Sequence, residues 1–137
     1  MRILRFIPFL VFPMLIYAAI AFTAGAAMDQ RLAANVFSFP VVSGDTVTFT
    51  TGALLLALAV GCQFFEIVRS AKPTNVSLAE NMVSAIFWII GLILFLLVRG
   101  FGTATFFLML LLLLADYLTD MAVMIFTARR TVDINQN

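Results

Sequence analysis

Four long apolar runs, joined by short polar links, take up most of this chain. They cover about residues 4–27, 52–69, 78–98 and 103–127. Each is near the ~20 residues that an α-helix needs to cross about 30 Å of hydrocarbon. The 137-residue chain is 64% hydrophobic and only 11% charged, with mean hydropathy +1.12. Soluble domains run to about 25% charged residues. A small soluble domain also has too much surface to bury so many apolar side chains. The expected fold is all-α and transmembrane: a single four-helix membrane bundle over residues 1–137, with the lipid bilayer as its main solvent.

The first run has a rival reading. Arg2 and Arg5, an apolar core and then Ala24-Gly25-Ala26 resemble a signal peptide with a small-residue cleavage site. The run exceeds the roughly 7–15 apolar residues of such a segment, so an uncleaved helix is expected. Pro13 should kink that helix unless a neighbour satisfies the freed carbonyl. Basic residues set the orientation. With the N-terminus inside, Arg2, Arg5, Arg69, Lys72, Arg129 and Arg130 are inside and only Arg31 and Arg99 are outside. Both termini are therefore placed in the cytoplasm, and the location expected is a bacterial inner membrane, crossed several times.

The link after the first run is the only sizeable one. Its arm, about residues 36–51, alternates apolar and polar residues around Ser43-Gly44-Asp45. That is a β-hairpin signal. A three-residue loop would pair Val41 with Val47 and Phe39 with Phe49. Phe37, Phe39, Val41, Val47 and Phe49 would then share one apolar face. An isolated hairpin is marginal in water. The face should lie on the bundle or the membrane, or dock a periplasmic partner. Pro40 points to an edge or a distortion in its strand.

Ser77-Leu78-Ala79-Glu80 is a capping box that opens the third helix. Arg99-Gly100-Phe101-Gly102 is tight enough to make the third and fourth helices an antiparallel pair. Ala53, Ala57 and Gly61 in the second helix, and Ala21 and Gly25 in the first, are small residues at four-residue spacing. Such faces permit close helix contact. The tail from Arg129 is polar and should fray.

Asp116 and Asp120 sit alone as charges in the most apolar run, one turn apart and on one helix face. An ionised carboxylate at mid-membrane costs about 3 kcal/mol or more, so it needs a partner, a proton or water. At about 1.5 Å per residue, Asp116 falls near mid-membrane and Asp120 about 6 Å nearer the cytoplasm. Gln63, Glu66, Glu80 and Asn81 occupy the same half, with Ser84, and form an intramembrane polar cluster with the two aspartates. Three uses compete. The groups could fix helix register, through Arg69, Gln63, Asn81 or Thr119. They could pair with another subunit. Or Asp116 and Asp120 could relay a proton or cation in a small oligomeric channel or transporter.

Other chemistries lack their residues. There is no histidine, and Cys62 is the sole cysteine. No GxSxG, Walker loop, CxxC or HExxH motif occurs. The bare DxxxD of Asp116 and Asp120 lacks the second acidic motif of membrane prenyltransferases. No catalytic, cofactor or metal residues are assigned. The net charge of +1, without a basic stripe, excludes nucleic acid as a natural partner. Pro8 and Pro13, the SGDTVTFTTG arm and the C-terminal TARRTVD together resemble small uncharacterised four-span inner-membrane proteins of bacteria. That resemblance implies no activity. The function expected is non-enzymatic: an accessory or structural subunit of a bacterial inner-membrane complex. It would contact other integral membrane subunits or further copies of itself.

Overall fold

The structure, a computed structural model, describes the backbone of residues 8–70 and 78–135 and the side chains of residues 8–68 and 81–126. It is mostly helical. Helix α1 (Val11–Ala24) passes through a 3-10 turn (Gly25–Ala27) into the short helix α2 (Met28–Ala33). Strands β1 (Asn35–Pro40) and β2 (Thr46–Thr50) follow, then α3 (Thr51–Ser70), α4 (Leu78–Leu97) and α5 (Ala104–Asn135). Three stretches are long and apolar enough to cross a membrane: Val11–Ala33, Thr51–Val68 and Ala104–Phe126. Among the described residues α4 adds a shorter apolar helix, Asn81–Leu97. Phe22, Phe64, Phe65, Leu96, Leu97 and Phe126 are 63–78% exposed. An apolar surface of that extent is unfavourable in water and suits a membrane.

The first helix starts later than its sequence suggested, at Val11 instead of near Leu4. Residues 8–10 form a turn in which Pro8 O accepts from Val11 N and Phe9 O from Phe12 N, both at 3.1 Å. Pro13 thus falls in the first turn, where a missing N–H costs nothing. The carbonyl it would have orphaned is taken by Phe12, and no kink is needed. At the other end α5 continues beyond Thr127 to Asn135, because no glycine or proline interrupts residues 103–135.

Helix α5 is central, with α3 on one side and α4 on the other, and α1 packs chiefly on α3. Gly52 meets Thr105, and Gln63 meets Asp116, 53 residues away. The same offset holds for both pairs, so α3 and α5 run parallel. Gly91 lies under Leu110 while the Phe95 and Phe107 rings are 5.6 Å apart, so α4 runs antiparallel to α5. A Cβ on Gly91 would stand 2.6 Å from Leu110 Cδ2. Only glycine permits that approach without moving the leucine.

The buried face of α3 carries Gly52, Leu55, Ala59, Gln63 and Glu66. The small residues expected to pack do not. Ala53 and Ala57 are exposed, and a Cβ on Gly61 would meet nothing within 4 Å. The bulkier Leu55 wins the core because it buries more apolar area. Ala21 and Gly25 do approach a neighbour: a Cβ on Gly100 would lie 3.2 Å from Gly25 O and 3.6 Å from Ala21 Cβ. Gly100 has φ 87°, which a side chain would strain.

Tyr17 locks this end of the bundle. Its hydroxyl lies 2.8 Å from Gly100 O and 2.6 Å from Thr103 Oγ1. Thr103 in turn caps α5, accepting from Phe106 N at 3.3 Å. The arrangement that uses every donor has Tyr17 donating to Gly100 O and Thr103 donating to Tyr17. Around it the rings of Tyr17, Phe101 and Phe106 pack at centroid distances of 4.9–5.7 Å.

The hairpin is antiparallel, with Phe37 opposite Phe49, Phe39 opposite Val47 and Pro40 opposite Thr46. The register differs by two from the one its sequence suggested, so Val41 leaves the strand and enters the turn. Val41 N donates to Asp45 O at 2.9 Å, and Gly44, with φ 91°, donates to Val41 O at 3.0 Å. Closing this longer turn uses Ser43 and Asp45, whose side chains bond at 3.1 Å. A shift of two keeps every side chain on its face. Phe37, Phe39 and Phe49 therefore still stack, at 4.8–6.4 Å.

Tyr17→Phe keeps the ring and removes only the hydroxyl. It should cost about 1–2 kcal/mol, read as a lower Tm in mild detergent. An unchanged Tm would mean that this link does not hold α1 to the α4–α5 turn.

Candidate functional site

The polar residues singled out in the sequence lie mostly at the end of the bundle opposite Tyr17. Gln63 and Glu66 project from α3, Asn81 and Ser84 from α4, and Asp116 and Asp120 from α5. All six are buried, at 2–8% exposure. The 3.6-residue period places each pair on one face of its helix. The parallel register of α3 and α5 puts Gln63 level with Asp116. Leu110, Leu113 and Met109 seal the same face of α5 above the acids.

Glu66 has a specific task. Its carboxylate accepts from the backbone N–H of Phe9 at 2.6 Å. Phe9 lies just before the cap residue Leu10, and the first N–H groups of α1 itself, on Val11 and Phe12, are taken by Pro8 O and Phe9 O. Glu66 takes the N–H of the turn that leads into the helix. A carboxylate there is also favoured by the helix dipole. Glu66 thereby fastens the start of α1 to the far end of α3. Phe9 offered no signal in the sequence, because it acts through its backbone.

Gln63 Nε2 donates to Asp116 Oδ1 at 3.2 Å. The glutamine thus serves Asp116, not Asp120 or Glu66. Thr119 is exposed and donates to Ala115 O of its own helix at 2.8 Å, so it does not serve the acids. Gln63 Oε1 and Asn81 Oδ1 are buried with no hydrogen-bond partner among the described residues. The side chain of Glu80 and the expected pairing through Arg69 lie outside the described residues, as does the capping box at Ser77. Among the described residues no group of three or more His, Cys, Asp or Glu could hold a metal ion.

The proposed docking residues form a separate patch. Phe37, Phe39 and Val47 are 37–48% exposed, and Phe49 is half-buried beside the start of α3. Val41 belongs to the turn. The hairpin meets the helices mainly where β2 runs into α3. The sequence missed the Tyr17–Gly100–Thr103 link, although a tyrosine and a threonine inside apolar runs were its visible signal.

No known protein family, characterised protein or solved structure matches this chain.

The site yields a stability prediction. Glu66→Leu should destabilise the fold by about 2 kcal/mol or more, the scale of a lost hydrogen bond to a charged group. Glu66→Gln should recover part of it, since an amide oxygen still accepts. Thermal unfolding in detergent checks both, and equal stability of the three proteins would contradict the role given to Glu66.

Proposed function

We propose that the protein is a non-enzymatic integral membrane protein, an accessory or structural subunit of a larger complex in a bacterial inner membrane. It crosses the bilayer four times, with α4 as the third crossing, and both termini face the cytoplasm. The excess of basic residues on that side supports the orientation. One observation carries the functional reading: two of the buried carboxylates, Glu66 and Asp116, bond across helices. Glu66 is spent on the start of α1 and Asp116 on Gln63. Groups used in this way fix register and leave the lipid-facing surfaces and the hairpin for contact. The stacked face of Phe37, Phe39 and Phe49, standing off the helices, supports a periplasmic contact. Partners of this reading are lipid and other integral subunits, with further copies of the chain only alongside them.

Purification from native membranes in mild detergent tests it. The protein should travel with unrelated polypeptides in fixed stoichiometry, and Phe39→Asp should weaken that association while leaving Tm unchanged. A lone homo-oligomer would overturn the subunit reading. In liposomes the wild-type protein should be no leakier to protons than empty vesicles. A leak abolished by Asp116→Asn would favour a channel instead.

A further inference from the structure

The end of the bundle opposite the polar cluster holds an open cleft of about 490 Å³. It opens where the Gly25 turn and α2 meet the last turn of α4 and the link to α5. Phe95, Leu96 and Leu97 form its apolar wall, and Asp29, Arg99 and Thr103 its polar side. The volume lies within the ~300–1,000 Å³ usual for small-molecule sites. Thr103 is tied to Tyr17 and Phe106, so the polar floor is fixed by the same bonds that lock this end.

The two charges are placed in a particular way. Leu97 ends α4 and Arg99 follows it, while Asp29 stands in the first turn of α2. Arg99 lies just past the end of α4 and Asp29 a few residues beyond the end of α1, and both are exposed. No hydrogen bond or ion pair to either side chain is found among the described residues. A guanidinium and a carboxylate on one rim, not joined to each other, match a ligand carrying both signs. A phosphate suits Arg99, with its fork of N–H donors. A primary ammonium can donate hydrogen bonds to Asp29. The apolar wall below would take the first methylenes of an acyl chain. A purely anionic headgroup would be repelled by Asp29, and a quaternary ammonium has no N–H to give it.

We propose that this cleft is a binding site for a phospholipid with a zwitterionic, primary-amine headgroup, of the phosphoethanolamine class. The inference rests on the membrane reading and adds a defined ligand to it. The test uses full-length protein, purified in mild detergent and stripped of lipid. It is titrated with phosphatidylethanolamine, phosphatidylcholine and phosphatidylglycerol of identical acyl chains, and retention is read by native mass spectrometry. The amine lipid should be retained in preference to each of the others by up to about fivefold, the ratio one exposed ion pair supports. Asp29→Asn should erase the preference over phosphatidylglycerol, and Arg99→Gln should lower retention of all three. Both residues are exposed, so an unchanged Tm should accompany each variant. Glycerophosphoethanolamine, which has the headgroup without chains, should compete poorly at equal concentration. Full competition would remove the acyl wall from the account and overturn the lipid assignment. Equal retention of the three lipids by wild type, or an unaltered preference in Asp29→Asn, would also overturn it. A chain that stays soluble without detergent would defeat the membrane reading itself, whereas a membrane-bound chain blind to headgroups defeats only this inference.

Discussion

Polar groups inside an apolar bundle must find their partners within the protein, and here those partners are far apart in sequence. Phe9 N bonds Glu66, 57 residues away, and Tyr17 bonds Gly100 and Thr103, 83 and 86 residues away. Gln63 reaches Asp116 across 53. Apolar contact is non-directional and scales with area, so it tolerates helices turned or slid against one another. A hydrogen bond with a distance near 3 Å does not. These few links therefore define how α1, α3 and α5 are set. Leu55, Ala59, Met109 and Leu113 supply the area between them.

The links divide the molecule into two unlike ends. At one, a tyrosine hydroxyl, a threonine and a glycine carbonyl form a short closed chain beneath three packed rings. At the other, acids and amides meet across helices, and a carboxylate takes the N–H of the turn that leads into α1. Between them the contact is apolar. The hairpin leaves this framework at Thr51, where β2 becomes α3 without a break, so its aromatic face is carried by the bundle and little covered by it.

Much of the architecture was legible in the residues. The apolar runs marked the helices, because runs of about 20 apolar residues are too long for a strand. The one-turn spacing of Asp116 and Asp120 marked a shared buried face. The alternation from Phe37 to Phe49 marked a hairpin, and its faces survived an error in register because the shift was two. What was not legible came from competition among residues of one type. Ala53, Ala57 and Gly61 matched a packing pattern, but so did Gly52, Leu55 and Ala59, and only a neighbour's shape decides between them. The start of α1 was misread because the apolar run continues from near Leu4 through Pro8 and Pro13, so hydropathy alone does not mark where the first turn begins. The task of Glu66 was invisible, since its partner is a backbone N–H that every residue possesses.

The distances in sequence between bonded groups also set an order of events. A chain is made from its N-terminus, so α1 emerges before α3, α4 and α5. Its lower fastening, Glu66, does not exist until α3 is nearly complete. Its upper fastening, at Gly100 and Thr103, does not exist until α4 has been made. Contacts of such long range are slow to close, because the intervening chain must first be positioned. Helix α1 thus waits for residue 103 before both of its fastenings exist. Until then its N-terminal amide and its tyrosine must be accommodated by whatever surrounds them.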